Sequence, residues 1–312
     1  MNSVRSFLPT DVPALVAVPG LSSGNEAWPR ERMGAGEAQA TLSVVKDQLL
    51  SFTRHRGAWV SVRRQRLQGL IGARQRGGAE AWEIDYLLDA TKDNHITEEL
   101  LEYATVEAGK EGAHKLFLRL TSDSTLLPTV LEAGFTGYQE ETLYARVGGG
   151  DAAPSVMRSV VASDSYPLFR LYCGSTPEAA RRLEAATFNE WHSAQERRWM
   201  RNGLQLVEER NGLICAHVRV ARLPQGLLLE ITADAEASRE AAGLVAASCA
   251  AAGSAGEPVF VLVPNAAEGL ARHLEAAGFT PQNEFVSLAR RTAKPLALPK
   301  KVAVVAENAV GV

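Results

Sequence analysis

Residues Trp82–Ala90 read WEIDYLLDA, a run of aromatic and branched residues set between Gly77-Gly78 and the polar segment Thr91–Thr97. The run reads as a buried strand. A helix follows from about Ile96 to Gly109, with Ile96, Leu100, Leu101, Ala104 and Ala108 on its apolar side, and then a second strand at Lys115–Leu120. About two dozen residues separate the strands, enough for a parallel crossover and too many for a tight hairpin. This is a βαβ unit. A second copy of the opening run, LLLEITADA at Leu227–Ala235, again precedes a helix and a strand, Val259–Val263.

Upstream, Val4–Leu8 reads as a strand and Thr10 or Asp11 as the cap of a short helix. Gly20–Gly36 is rich in Gly, Ser and Pro, an irregular segment. Leu42, Val45, Leu49 and Phe52 recur at helical spacing within a helix over Glu37–His55. A hairpin follows, Trp59–Val62 and Leu70–Gln75 around a turn at Arg64–Gln68. Downstream, a helix over Leu126–Ala133 ends at Gly134, a left-handed cap, and leads to a strand at Thr142–Val147. The fold class is α/β, a mixed sheet with helices on its faces.

Val147–Ser155, VGGGDAAPS, has the composition of a linker. Beyond it the pattern starts again. Arg5-Ser6 with Asp11 is echoed by Arg158-Ser159 with Asp164, and Gly69-Leu-Ile-Gly-Ala73 by Gly212-Leu-Ile-Cys-Ala216. Asp89-Ala90 recurs as Asp234-Ala235, and Leu131-Glu-Ala-Gly-Phe135 as Leu274-Glu-Ala-Ala-Gly-Phe279; the last three echoes lie 143 to 145 residues apart. Four echoes in one order argue for an internal duplication. The expected domains are residues 1–147 and 156–291, joined by a linker at 148–155 and followed by a tail, 292–312. In the second copy, Asn211-Gly212 supplies a type I′ turn, and a helix from Pro177 to about Arg201 brings Phe188, Trp191 and Trp199 near one side.

With 312 residues, 46% apolar content and a net charge of −3, the chain has a real core and no global attraction to nucleic acid or anionic membrane. Apolar runs fall short of the ~20 residues of a membrane helix. Cys173, Cys215 and Cys249 share no CxxC spacing, which suggests reduced thiols and a cytoplasmic location, and no export signal is read at the start. The six histidines show no metal-ligand spacing, so no metal is expected. No GxSxG, P-loop or Rossmann glycine pattern occurs.

The order of elements, with the two Leu-Glu-Ala…Gly-Phe helix ends, resembles the GNAT (GCN5-related N-acetyltransferase) superfamily across both halves. The resemblance implies tandem acyl-CoA N-acyltransferase domains and acetyl-CoA or another acyl-CoA as cosubstrate, held where the fourth strand feeds its helix. It also implies an amine acceptor, a small molecule or a protein. The matching loops are Lys92, Asp93, Asn94, His95, Ile96 and Thr97 in the first copy and Glu236–Ala241 in the second. Neither contains a glycine, and Asp93, Glu98, Glu99, Glu236 and Glu240 put carboxylates where a pyrophosphate would meet the helix dipole. The first loop, with Lys92 and the cap candidate Asn94, is the preferred cofactor site. Where the family carries a tyrosine to protonate the leaving thiolate, this chain has Val130 and Leu274. The general-base candidates are Asp85 and Glu83 in the first copy and Glu230 in the second. The alternative is that these acids are solvated or pair with arginines, and that the protein is a scaffold whose cofactor loops have decayed.

Arg54, Arg56, Arg63, Arg64, Arg66, Arg74 and Arg76 make the first hairpin basic. The cluster suits an acidic protein partner, the acids of the second copy, or RNA; the preferred reading is a solvated hairpin that resists edge pairing. Phe188, Trp191, His192 and Trp199 would line an acceptor pocket or form core and interdomain contacts.

Overall fold

A computed structural model describes residues 3–11, 13–14, 24–34, 56–63, 66–90, 94–148, 152–254 and 256–292. The expected helix over Glu37–His55, residues Thr91–Asp93, the middle of the linker and the tail from Ala293 lie outside the described residues.

In the first half, β1 (Ser3–Ser6), β2 (Arg56–Arg63), β3 (Arg66–Gln75) and β4 (Ala81–Asp89) form an antiparallel meander. Helix α1 (Asn94–Lys110) then crosses to β5 (Lys115–Thr121), which is parallel to β4, and α2 (Leu127–Glu132) leads to β6 (Thr136–Val147). The second half runs β7 (Arg158–Ser159), α3 (Ser165–Ser175), α4 (Glu178–Glu184), α5 (Phe188–Ala194), β8 (Leu204–Arg210), β9 (Leu213–Leu223) and β10 (Gly226–Ala233). It continues with α6 (Ala241–Ala251), β11 (Pro258–Pro264), α7 (Glu268–Ala276) and β12 (Thr280–Arg291). No described helix is long and apolar enough to cross a membrane.

All twelve strands join in one sheet, in the order β1-β2-β3-β4-β5-β12-β6-β11-β10-β9-β8-β7. The halves exchange their last strands. β12 pairs β5 of the first half, and β6 pairs β11 of the second. The chain-order boundary near residue 150 is therefore not a boundary in the sheet, because each half takes a strand from the other. Leu288 of β12 sits in the core under α1 and α2, and Tyr144 of β6 in the core under α6 and α7. A third apolar cluster, with Met33, Leu143, Trp199, Leu228, Leu262 and Phe285, spans the junction.

The sequence echoes become matching local structures. Arg5 forks onto Asp11 with two bonds of 2.7 Å, and Arg158 onto Asp164 with bonds of 2.7 and 3.0 Å. Each acid also accepts a backbone N–H, of Leu8 or Val161, at 2.8 Å. Gly134 and Gly278, at φ +83° and +87°, end α2 and α7. Their left-handed backbone lets Phe135 and Phe279 donate back to Val130 and Leu274.

Two elements differ from expectation. β6 starts at Thr136 rather than Thr142; its polar stretch is strand because it ladders onto Phe285–Ala289 of β12, while its pairing with β11 begins only at Glu141. The helix over Pro177–Arg201 is broken into α4, α5 and a 3-10 turn at Arg198–Met200. Ala185 is extended at φ −159°, and the Thr187 side chain accepts the Glu190 amide, so a new helix starts there.

Candidate functional site

Parallel strands that diverge leave facing backbone edges without a ladder, and buried N–H and C=O groups need partners. Both halves contain such a divergence. β4 and β5 pair only from Ala81–Lys115 to Glu83–Phe117. β10 and β11 pair from Leu227–Val259 to Glu230–Leu262. What lies in the two openings is different.

In the first half the opening is filled by the chain itself. Glu26 donates its amide to the carbonyl of Leu87 at 3.0 Å, and Trp28 to that of Arg119 at 2.9 Å, so residues 26–28 bridge β4 and β5. Asn25 fixes the segment: its side chain donates to the Asp85 carbonyl and accepts the amides of Ala27 and Leu87, each at 3.0 Å. Asn25 and Ala27 are buried.

In the second half the opening leads into a cavity of about 1010 Å³, lined by Ile231–Ala235 from the end of β10 and its loop, by Pro264 and by α7. Asp234 organises the loop, accepting the amides of Glu236 at 2.9 Å and Ala237 at 2.8 Å, while Ser238 donates to the Asp234 carbonyl. The Asp234 carboxylate thus takes up two amides of this loop itself. Arg170, Arg239, Arg272 and His273 also line the cavity. Arg239 is exposed, and no ion pair to another described residue holds it.

A second cavity, about 90 Å³, lies against the first and shares Thr176, Ile231, Thr232 and Pro264 with it. Its walls include Tyr172, Glu184 and Trp191 from the second half. Arg30 and Glu141 reach it from the first half, Glu141 because strand exchange lays β6 beside β11.

The sequence candidates are placed as follows. Glu83 is buried and bonded to Arg74 at 2.6 Å. Burial pushes its carboxyl up, against the pull of Arg74. Asp85 is buried against Arg56 at 2.7 Å and Arg74 at 3.4 Å. Glu230 pairs with Arg30 at 2.7 Å and Arg219 at 3.3 Å, and it lines the small cavity. Burial opposes its ionisation, yet Arg30 and Arg219 hold it below the usual carboxylate range. At the α1 start, Ile96 and Thr97 are buried, and Thr97 donates to Asp89 at 3.1 Å. His95 is exposed near Glu98 and Glu99, and Asn94 opens the helix. Lys92 and Asp93 lie outside the described residues.

The basic hairpin is partly an interior feature. Arg56, Arg74 and Arg76 are held in ion pairs, whereas Arg63 and Arg66 are exposed; Arg54 and Arg64 lie outside the described residues. The sequence reading missed the hub of this network, Glu196. One of its oxygens takes Arg76 at 2.9 Å, Arg119 at 3.0 Å and also Arg30. Burial would raise this carboxyl, but the three guanidinium groups hold it well below its ordinary value. Glu141 is likewise bonded to Arg119 at 2.8 Å and Ser287 at 2.6 Å. No local signal marks Glu196 in its run of polar residues. Of the aromatics, Phe188 and Trp191 pack with Tyr166, Phe169 and Tyr172, and Trp191 lines the small cavity. Trp199 is buried instead below the Arg219 guanidinium, 4.9 Å away, and His192 is exposed beside Arg197.

Among solved structures, the chain is similar to a GCN5-related N-acetyltransferase from Sphaerobacter thermophilus, with 14% identity over 93% of this chain and 95% of that one, and a TM-score of 0.55. It is also similar to a putative acetyltransferase from Pyrococcus horikoshii, with 11% identity, 94% and 90% coverage and a TM-score of 0.56. A tandem GNAT protein from the clavulanic acid biosynthesis pathway matches with 13% identity, 94% and 99% coverage and a TM-score of 0.54. No family model and no curated protein matches the chain. The fold is that of the GNAT acyl-CoA N-acyltransferases, in its tandem form.

Proposed function

We propose that the chain is an acyl-CoA-dependent N-acyltransferase with one working cleft, between β10 and β11, and that its two halves arose by duplication. The observation that carries this reading is the asymmetry of the openings. One is bridged by residues 26–28; the other leads into a cavity of about 1010 Å³. The bridge in the first half makes the bonds that an extended, amide-bearing ligand would make, and the pantetheine arm of acyl-CoA is such a ligand. In the second half, residues 231–233 of β10 offer it the same kind of backbone edge. Arg239 and Arg272 line that cavity as cations for the phosphates. The loop Lys92–Thr97, preferred on sequence, belongs to the bridged half and holds no cosubstrate in this reading. Three free cysteines fit a reducing compartment, the cytoplasm.

The test is a calorimetric titration with acetyl-CoA. One site per chain is expected, with affinity about tenfold lower in Arg239→Glu, a loss of about 1.4 kcal/mol. Two sites per chain, or no saturable binding at millimolar ligand, would end the proposal.

A further inference from the structure

Resting on that reading, we propose that the acceptor is a primary alkylamine without a neighbouring carboxylate, whose ammonium is received in the small cavity by Glu184, beside Tyr172 and Trp191. The cavity of about 90 Å³ adjoins the acyl-CoA cleft through four shared residues. At roughly 11–15 Å³ for each water-sized occupant, it holds on the order of six. That suits a narrow alkyl chain.

The charges decide the class. Glu141 is bonded to Arg119 and Ser287, and Glu230 to Arg30 and Arg219. His217 is held neutral by burial and by Arg219, its pKa lowered to about 4. Both lining arginines are thus occupied by carboxylates and leave none for an anionic ligand. Glu184 is different: its carboxylate accepts a hydrogen bond from the Tyr172 hydroxyl at 3.0 Å, while Lys115 donates to its backbone carbonyl and pairs with Glu190, so no Lys, Arg or His of the described residues is in an ion pair with the Glu184 carboxylate. Burial pushes its carboxyl up, with Arg76 and the Tyr172 bond opposing, the direction that a general base requires. Trp191 and Tyr172 both line the cavity and add aromatic surface beside the carboxylate, where a cation is favoured.

In the step, Glu184 takes one proton from the ammonium, and the freed amine attacks the thioester carbon. The C–S bond breaks as C–N forms. A second nitrogen proton goes to the thiolate, leaving amide, CoA thiol and the proton on Glu184, which passes to solvent. The experiment measures thiol release from acetyl-CoA with butylamine, 1,4-diaminobutane and β-alanine, alongside acetyl-CoA titration of each variant. The expected result is turnover of the first two and far less of β-alanine. Glu184→Gln should lose at least 100-fold in kcat/KM and the acidic limb of the pH profile, with acetyl-CoA affinity unchanged; Glu184→Asp should recover part of the rate. Acetyl-CoA binding without turnover of any of these amines, wild-type rates in Glu184→Gln, or preference for β-alanine would overturn the inference alone. Absence of acetyl-CoA binding would remove it together with the reading beneath it.

Discussion

The amide of Trp28 donates to the carbonyl of Arg119 across 2.9 Å, joining a residue from the irregular segment near the start to the strand β5. Through this bond and that of Glu26 to Leu87, the first half supplies from its own chain what its diverging strands lack. The two openings therefore differ: one is closed by the chain, and the other leads into the cavity.

If the bridge is structural, its anchor is costly to remove. Asn25→Ala leaves the Leu87 amide and the Asp85 carbonyl without the bonds they now make, both in a buried setting. Each orphaned group costs about 1–3 kcal/mol, so a loss on the order of 3 kcal/mol is expected in urea unfolding. A change below about 0.5 kcal/mol would show that residues 26–28 do not fill the opening.

Glu196 is the common partner of Arg30, Arg76 and Arg119. Removing one member of a buried ion network leaves the others uncompensated, at about 3–5 kcal/mol. Glu196→Gln should therefore lower stability by that order in denaturant titration. Wild-type stability would mean that the three guanidinium groups find other partners.

Stability should fall in acid in two stages. His217 is buried with a pKa near 4 against an ordinary 6.5, so the unfolded chain binds the proton first as pH falls. Its contribution is full above 6.5 and is lost between 6.5 and 4, on the order of 3 kcal/mol. Glu141, Glu196 and Glu230, held low by arginines, add a loss below the ordinary carboxylate range. Glu83, raised by burial, runs in the opposite sense. His217→Gln should flatten the first stage; an unchanged slope from pH 6.5 to 4 would refute its assignment.

Strand exchange predicts that the halves depend on each other. A chain cut between Gly149 and Gly150 should yield a tight heterodimer on co-expression, while either piece alone, lacking β12 or β6, exposes a sheet edge and aggregates. Size-exclusion chromatography reads the outcome. Two pieces that are each soluble and monomeric would contradict the exchange.

The sequence by itself determined the fold class, the local echoes between the halves and most strand and helix positions. Periodicity, the Gly-Phe helix ends and the Arg-Asp echo are local patterns, set by residues close in the chain. It also named Glu83, Asp85 and Glu230 as the unusual acids of the strands, and offered pairing with arginines as one reading; the structure shows each of them in such pairs. Only the tertiary structure decided which arginine meets which acid, because Arg119, Glu141 and Glu196 converge through strand exchange and no spacing along the chain encodes that contact. The same holds for the clefts. Both loops lack glycine and carry acids, so the sequence could not rank them beyond Lys92. What separates them is whether a distant segment, Asn25–Trp28, lies between two strands, and that depends on long-range hydrogen bonds from its backbone and from the Asn25 side chain.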